Sequence, residues 1–409
     1  MIEQYTAIFQ ISTFTREWKT SQANKPNGQL PFLEHRAVEQ NCALAGFEAE
    51  DVPSIQTMSD RISANADLSC LLWHCHYLLC HSTSFSRGYA RDWTPLTHLL
   101  GENAADFFLL LVLSAIPIAR QFHQHRGLPE TVLVDTYSDT SLWANDYRSK
   151  HNRLGIDLHL VLWLLNHLCG ELYRLGRLQF IQRPFRQQFR AFRHLENRKI
   201  ILLAEAGREF RGDGQINGTG GVSDPVHGWT SRLVIDSDFI IGTHIDPVGV
   251  AKSEEIQLRR KEWKQILAHG APILEIHIPA GSPMDFEACG DSFRLALDFF
   301  PRYFPDRPFY GFSCSSWLLN AQFQDWLGSD SNMVRFQREF HLFPTYSSGR
   351  SGFDRIFPLH NSADLTSLPR DTRLRRAIVD HLQAGGYLRS GGGLLFAEDL
   401  DWGNQVYQS

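Results

Sequence analysis

Residues 273–282 read Ile273-Leu-Glu-Ile-His-Ile-Pro-Ala-Gly-Ser282, and this stretch decides the fold of the C-terminal half of the chain. Apolar side chains alternate with polar ones, which predicts a strand over Ile273 to Ile278 with its aliphatic residues on one face. Glu275 and His277 then share the opposite face. A carboxylate beside an imidazole is a general acid/base pair that can accept a proton near neutral pH. The alternative is a half-exposed strand whose polar side faces water.

The turn after this strand, Pro279-Ala-Gly-Ser-Pro283, leads into a predicted helix that opens near Asp285. Free backbone N–H groups at such a turn can hold a phosphate. Asp285 and Glu287, however, complement the helix dipole themselves and would repel an anion placed close by. From these residues alone, a capped helix start is the favoured interpretation.

Short strands and helices alternate through the rest of the C-terminal half. The sequence predicts strands at 178–181, 199–203, 233–235, 273–278, 310–314, 333–340 and 393–396, and helices at 253–269, 285–300, 318–327 and 371–384. The glycine-rich segment 211–221 lacks the Gly-Lys-Ser/Thr of a P-loop and matches no dinucleotide fingerprint, so we expect a loop there.

Long apolar segments without alternation fill the N-terminal half and predict helices at 68–81, 104–125 and 155–175. The apolar run 107–119 is shorter than the ~20 residues that span a bilayer and contains Pro117, so we expect a buried helix. The predicted fold class is therefore α+β, with a helical domain over 1–175 followed by a mixed-sheet α/β domain over 176–409.

Composition excludes some partners. The 409 residues carry a formal net charge of −5, with 40 Lys and Arg against 45 Asp and Glu. This balance predicts neither nucleic acid nor an anionic membrane as a partner, and it fixes no oligomeric state. The N-terminus has no basic start or apolar core of a signal peptide, and the seven cysteines have no repeated spacing. We therefore expect a cytoplasmic protein with reduced thiols.

Two further clusters contain chemically reactive side chains. In Phe312-Ser-Cys-Ser-Ser-Trp317, Cys314 is either a nucleophile or a buried packing residue, and the serines either bind a ligand or cap the next helix. In Cys70-Leu-Leu-Trp-His-Cys-His-Tyr-Leu-Leu-Cys-His81, the cysteines and histidines are of the types that bind zinc. A structural zinc site usually takes ligands from two elements, and the sequence has no second cluster of such residues. Core cysteines and polar histidines on a helix are therefore favoured, and no metal is predicted.

Several of these segments together resemble a family of bacterial N-acyltransferases that have a helical N-terminal domain and a GNAT-like C-terminal domain. The motifs that carry the resemblance occur in the expected order over nearly the whole chain. They are Asp135-Thr-Tyr-Ser-Asp-Thr-Ser-Leu-Trp143, Arg174-Leu-Gly-Arg-Leu-Gln-Phe180, Leu274-Glu-Ile-His-Ile-Pro-Ala-Gly281, Cys314-Ser-Ser-Trp-Leu-Leu319, Ser331-Asn332 with Arg335-Phe-Gln-Arg338, and Leu374-Arg-Arg-Ala-Ile-Val-Asp-His381.

The resemblance implies transfer of an acyl group, acetyl being the expected one, from acetyl-CoA or another acyl-CoA to a small-molecule or peptide amine. A base beside the central strand would accept the proton of the amine, and Glu275 and His277 are the implied bases. Gly281 and Ser282 are the implied residues of the loop that binds the cofactor. Ser316 and Trp317 would lie near the acyl or pantetheine end.

Two positions depart from the family pattern. A typical GNAT cofactor loop carries Gln/Arg-x-x-Gly-x-Gly/Ala, which Pro279 to Gly290 do not match, and Ser315 stands where the family pattern has a histidine before Ser-Trp-Leu-Leu. A non-catalytic ligand-binding protein on a GNAT-like scaffold is therefore the alternative. A crevice between the strand of Glu275 and its neighbour at 310–314 would favour the enzyme, and a closed seam would favour the binding protein.

Overall fold

The computed structural model describes residues 12–358, 360 and 364–408. The chain divides into two compact units. The first comprises Met1–Gln179 together with the short return Pro279–Ser282, and the second comprises Phe180–Ile278 and Pro283–Ser409. A helical N-terminal region thus precedes a mixed-sheet domain, which confirms the predicted fold class.

The described part of the first unit is built from helices and ends in a short strand. The helices are α1 Ser12–Thr15, α2 Trp18–Ala23, α3 His35–Leu44, α4 Val52–Ala64, α5 Ala66–Cys80, α6 Thr94–Leu100, α7 Ala104–Ser114, α8 Ile116–Arg126, α9 Glu130–Tyr137, α10 Asp139–His151 and α11 Leu158–Leu168, and the strand is β1 Leu172–Leu175. Every residue of α7 is buried, which makes it the centre of the helical core.

The apolar run around α7 behaves as a core segment. The stretch Gly88–Arg126 is long and apolar enough to cross a membrane by length and composition, but 78% of its most apolar window is buried inside the protein. The single helix predicted at 104–125 is two helices, because the chain breaks at Ala115 and places Pro117 in the first turn of α8. Proline is tolerated there because the first N–H groups of a helix have no partner within it.

The helix predicted at 155–175 is only partly correct. Helix α11 ends at Leu168, and residues Leu172–Leu175 form β1. Gly170 turns the chain with a φ of +67°, and a Cβ atom there would lie 2.3 Å from the ring of Phe122. Glycine ends the helix because no other residue fits this backbone conformation against an aromatic ring.

The second unit contains two main sheets. Its strands are β2 Leu178–Pro184, β3 Phe189–His194, β4 Ile200–Ala204, β5 Glu209–Phe210, β6 Trp229–Thr230, β7 Leu233–Ile235, β8 Phe239–Asp246, β9 Val250–Arg259, β10 Trp263–Leu267, β11 Pro272–His277, β12 Gly311–Ser316, β13 His341–Pro344 and β14 Gly391–Phe396. The first two residues of β2, Leu178 and Gln179, are counted with the first unit. In the first sheet the strands of this unit follow the order β2-β11-β12-β14-β13, and in the second they follow β10-β3-β4-β8-β7, with β9 paired to β8.

Helices connect and cover these strands. They are α12 Phe286–Tyr303, α13 Phe323–Trp326, α14 Asn332–Arg338, α15 Arg350–Ile356 and α16 Arg373–Gln383. The helices predicted at 285–300 and 371–384 are confirmed as α12 and α16. The helix predicted at 318–327 is wrong over most of its length, since Trp317–Leu319 is a short 3-10 helix and only Phe323–Trp326 is α-helical.

Two other predictions are wrong, and tertiary pairing explains both. The predicted helix at 253–269 is the pair of strands β9 and β10, which hydrogen-bond to β8 and β3. Partners distant in sequence decide strand formation, and local spacing does not show them. The predicted strand at 333–340 is helix α14, which buries Val334, Phe336 and Gln337. The order of its apolar and polar residues fits the period of a helix as well as that of a strand.

Candidate functional site

The strand that carries Glu275 pairs with β12 over only part of its length. β11 and β12 are parallel, with Leu274 opposite Phe312 and Glu275 opposite Ser313. The two strands also meet where Tyr310 N donates to the carbonyl oxygen of Pro272 at 3.0 Å. The ladder stops after Glu275, although β11 continues to His277 and β12 to Ser316. The hydrogen-bonded pairing of the two strands therefore ends before their carboxyl ends, and we call this end of the pairing the place where the strands part.

β12 is paired with its other neighbour, β14, over its whole length. Along the same residues β12 stays paired with β14, with Ser316 opposite Gly391 and Ser315 opposite Gly392. Three glycines of β14, Gly391 to Gly393, leave room for neighbouring residues that pack closely against the strand. A Cβ atom would be 2.0 Å from the carbonyl oxygen of Leu319 at Gly391, and 1.9 Å from the ring of Phe343 at Gly392. The glycines let β12 remain with β14 while β11 diverges.

Glu275 and His277 lie together on one side of β11, as the alternation predicts. Glu275 Oε1 is 3.6 Å from His277 Nε2, and the two side chains are 41% and 29% exposed, respectively. This distance is too long for a hydrogen bond but short enough for a Coulomb interaction. Both groups can be reached from solvent at the point where the strands part, as a base that meets a substrate requires.

The charge state of Glu275 depends on opposing influences. Burial raises the pKa of Glu275, while Arg183 and Arg186 act against that rise. A carboxylate with a raised pKa is a stronger base than one in water. Arg183 and Arg186 were not singled out from the sequence, because they precede the site by about 90 residues and only the pairing of β2 with β11 brings them close.

Cys314 does not have the properties of a nucleophile. It is 1% exposed. Burial, with a further contribution from Glu275, raises the pKa of Cys314 to about 12. The side chain is therefore a neutral thiol at physiological pH, and the packing interpretation holds.

Ser316 and Trp317 lie at the carboxyl end of β12, where the strands part. Ser316 Oγ accepts a hydrogen bond from Leu318 N at 3.1 Å, which caps the 3-10 helix Trp317–Leu319. The ring of Trp317 makes an edge contact with Phe323 at 6.1 Å between centroids. Both residues are half-buried and belong to the same edge of the sheet as Glu275 and His277.

Gly281 and Ser282 belong to the first unit and are exposed. Arg177, which is 8% exposed, donates to the carbonyl oxygens of Pro279 at 3.0 Å and Ser282 at 2.7 Å. Gly281 between them has a φ of +92°, a conformation that favours glycine. Arg177 thus fixes both ends of the loop. It lies within a motif that the sequence singled out, but no sequence signal assigned it a partner.

The helix start that follows the loop is capped. Asp285 accepts a hydrogen bond from Ala288 N at 2.8 Å, in the manner of an N-cap residue. The capped interpretation of this helix is confirmed. Gly281 and Ser282 stay predictions as cofactor-binding residues.

The middle of the histidine and cysteine cluster, His74 to His76 of α5, is part of the core. His74 Nδ1 is 2.6 Å from Ser21 Oγ, and its Nε2 is 2.7 Å from the carbonyl oxygen of Phe14. Burial lowers the pKa of His74 to about 4, against smaller opposing effects of Phe14 and Glu17. Both ring nitrogens are used by the protein, so His74 serves packing.

Comparisons with known proteins agree with this architecture. A family model described as the N-acyltransferase N-terminal domain matches residues 37–170, and one described as the GNAT-like C-terminal domain matches residues 172–395. Together the two matches cover most of the chain. The chain belongs to the N-acyltransferase family with a GNAT-like C-terminal domain. It is an acyltransferase on that ground.

Solved structures of acyltransferases share the fold of this N-acyltransferase. One is an acyltransferase mutant in complex with octanoyl-CoA, with a TM-score of 0.53 and 20% identity, covering 88% of this chain and 99% of that one. Another is an acyltransferase in complex with decanoyl-CoA and teicoplanin, with a TM-score of 0.52 and 19% identity over 88% and 99% of the two chains. No curated protein matches the chain significantly.

Proposed function

We propose that this protein transfers an acyl group from an acyl-CoA to an amine at the place where β11 and β12 part. The observation that carries the proposal is the end of the ladder after Glu275 and Ser313, beside two exposed titratable side chains. The thioester would lie beside the main chain of β11 beyond Glu275. A closed seam between the strands would have favoured the non-catalytic binding protein.

The proposed reaction is a direct attack without an acyl-enzyme. The neutral amine attacks the thioester carbonyl, a C–N bond forms, and the C–S bond breaks to release CoA as the thiol. The amine loses one proton to a base, and one proton ends on the departing sulfur. Main-chain N–H groups beyond Glu275 would stabilise the negative charge on the carbonyl oxygen. The neutral, buried thiol of Cys314 supports this order of events, since it offers no alternative nucleophile.

Glu275 and His277 are the proposed bases. His277 follows Glu275 on the same face of β11, and continuing the register would place it opposite Ser315. The family pattern has a histidine at the place of Ser315. We therefore infer that the neighbouring strand supplies the imidazole in this chain.

The acyl donor and the acceptor are the finer parts of the proposal. The sequence predicts acetyl, whereas the structural neighbours were solved with the eight- and ten-carbon donors octanoyl-CoA and decanoyl-CoA. Trp317 packs against an apolar cluster that includes Phe323, Phe353 and Leu388, which would meet a longer chain at this edge of the sheet. The neighbour that holds teicoplanin supports a small-molecule acceptor.

The test has two readouts. Acetyl-CoA, octanoyl-CoA and decanoyl-CoA are titrated calorimetrically, and release of the CoA thiol is then followed with a panel of amines. Binding of one donor together with amine-dependent thiol release supports the proposal. Binding without turnover over the whole panel would favour the non-catalytic binding protein, and no heat with any of the three donors would contradict the proposed acyl transfer.

A pair of variants locates the base. We expect Glu275→Gln and His277→Gln to lower the rate of thiol release by about 10²-fold or more, the usual contribution of general-base catalysis. Glu254→Gln on the exposed part of β9 serves as the matched control and should leave the rate unchanged. Unchanged turnover in both test variants would place the base elsewhere.

A further inference from the structure

The second unit holds a cavity of about 970 Å³ that the proposed reaction does not use. Its walls are formed by β4, β8 and the turn after it, β9, β13, and the segment from Glu398 to Gln408. The volume is that of a small-molecule pocket.

The cavity lies near the beginning of β12, whereas β11 and β12 part near the end of β12. β14 runs antiparallel to β12, from Gly391 opposite Ser316 to Phe396 opposite Gly311. Glu398 and Asp399, which line the cavity, come after Phe396 and so lie beyond the edge where β12 begins. The length of a six-residue strand, roughly 17–20 Å, separates the two places. A ligand in the cavity is therefore distinct from one at the parted strands.

His341 lines the cavity, and its ring has one hydrogen-bond acceptor. Its side chain is buried, and Nδ1 is 3.1 Å from the carbonyl oxygen of Leu342. Because a carbonyl oxygen only accepts, Nδ1 carries the proton and Nε2 has a lone pair. Burial lowers the pKa of His341 to about 4, although Leu342 and Asp246 act in the opposite direction, so the ring is neutral at physiological pH.

His244 adds a second acceptor. Its Nε2 is 3.2 Å from Oδ1 of Asp246, and a carboxylate oxygen accepts the Nε2 proton. In the tautomer protonated at Nε2, Nδ1 has a lone pair, and this atom is buried without a hydrogen-bond partner in the part of the chain that the structure describes. An unsatisfied buried acceptor costs free energy that a ligand donor would recover.

The cavity is lined by the cations Arg198 and Lys199 as well as by carboxylates, and the carboxylates differ in how they are paired. Asp399 is neutralised by Arg193 at 2.6 and 2.8 Å, and Glu398 pairs with Arg198 at 2.7 Å. Asp401 also lines the cavity, and across the described residues no ion pair neutralises it. Burial raises the pKa of the nearby Glu339, and Asp401 adds to that rise against hydrogen bonds from the backbone.

The remaining lining residues are largely aliphatic: Ile200, Ile201, Ile245, Val248, Ile256, Leu400 and Val406. The cavity thus combines an apolar wall, the imidazoles of His244 and His341, and the carboxylate of Asp401. We propose that it binds an organic amine, with the ammonium group at Asp401, the apolar body against the aliphatic wall, and a hydrogen-bond donor at His244 and His341. This site does not depend on the proposed acyl transfer.

The probes are tyramine, which has an ammonium group, an aromatic body and a phenol donor, and two analogues that each lack one polar group. Phenethylamine lacks the phenol, and 4-ethylphenol lacks the ammonium group. Calorimetry is performed on the full chain without acyl-CoA. We expect tyramine to bind with a dissociation constant of about 1 mM or lower, and more tightly than either analogue.

Two variants assign the binding to the cavity. Asp401→Asn should weaken tyramine and phenethylamine about tenfold and leave 4-ethylphenol unchanged. His244→Phe should weaken tyramine and 4-ethylphenol and leave phenethylamine unchanged. Glu254→Gln, outside the cavity, is the control for both. Should His244→Phe fail to fold, Val248→Trp at a 42% exposed position would fill the cavity and abolish binding of all three compounds.

Three results would overturn the proposal. The first is no heat from tyramine at millimolar concentration. The second is tyramine affinity that both Asp401→Asn and His244→Phe leave unchanged. The third is loss of tyramine binding in Glu275→Gln or His277→Gln, which would place the amine at the parted strands and would support the proposed acyl transfer instead.

Discussion

The ring of Phe343 covers Gly392 so closely that a Cβ atom on Gly392 would lie 1.9 Å from the ring. Gly392 is opposite Ser315 of β12 on one side and opposite Phe343 of β13 on the other. The glycine therefore lets three strands keep their register next to the point where β11 diverges.

Replacing this glycine should damage the second unit. Gly392→Ala forces the Phe343 ring or a strand to move, so we expect the free energy of unfolding to fall by about 1–3 kcal/mol or more. Urea unfolding followed by hydrogen exchange of peptides from each unit measures the effect. Gly88→Ala, whose Cβ would meet nothing nearer than 3.8 Å, is the control. Equal stability of Gly392→Ala and the wild type would show that the ring is not held in place.

Glu275 should weaken the fold while serving the reaction. Burial raises its pKa, so the folded state favours the protonated carboxyl and stability falls as pH rises through the folded pKa. Glu275→Gln should therefore raise the free energy of unfolding at pH 7 while lowering turnover. The gain should stay below about 1 kcal/mol, because water screens a side chain this exposed. At a pH below the unfolded pKa of the carboxyl the difference between variant and wild type should vanish, and a loss of stability at pH 7 would contradict the interpretation.

A buried contact between a carboxylate and a histidine should hold the first unit together. Asp139 and His167 are 3% and 1% exposed at the side chain, and Asp139 Oδ2 is 3.1 Å from His167 Nε2. Trp143 Nε1 and Trp163 Nε1 donate to the same oxygen at 3.2 and 3.1 Å. Burial alone would raise the pKa of Asp139, but hydrogen bonds from His167, Trp163 and Gln179 outweigh it and lower the pKa.

Removing this charge should be costly. We expect Asp139→Asn to destabilise the first unit by about 3–5 kcal/mol, because it leaves the partner buried without its carboxylate. The contribution of Asp139 is present above its unfolded pKa and is lost as pH falls through the folded pKa. Acid titration of the wild type should show this loss below pH 4 or so, and Asp139→Asn should lack it. Asp146→Asn, at a solvent-accessible pair with Lys150, should change stability by less than about 0.5 kcal/mol.

Arg177 should position the loop 279–282. Lysine cannot donate to both carbonyl oxygens in the fork geometry of the guanidinium, so Arg177→Lys loosens the loop. If the loop holds acyl-CoA as the resemblance implies, KM for acyl-CoA should rise about tenfold with kcat nearly unchanged, since a charged hydrogen bond contributes about 1.5–3 kcal/mol. Arg36→Lys on the exposed side of α3 is the control. A fall in kcat at constant KM would show that Arg177 acts on the reaction itself.

The sequence predicted that Glu275 and His277 share a face, but it did not predict which residues surround them. The shared face of Glu275 and His277 follows from alternation within one strand, which is a local property. The end of the β11 ladder, the arginines beside Glu275 and the contacts of Arg177 depend on which strands and loops become neighbours. Strand β9 shows the same limit, because its pairing with β8 overrode a helical spacing. The ring of Phe343 packs on Gly392 of β14, a contact that no local pattern of the sequence shows.

The most direct test is a crystal structure with a non-hydrolysable thioether analogue of acyl-CoA. We predict that the pantetheine arm lies between His277 of β11 and Ser315 of β12, with the thioether sulfur next to the β11 main chain and next to Glu275 or His277. A continuous β11–β12 ladder through Ile276 and Cys314, with the analogue bound elsewhere or not at all, would contradict the account.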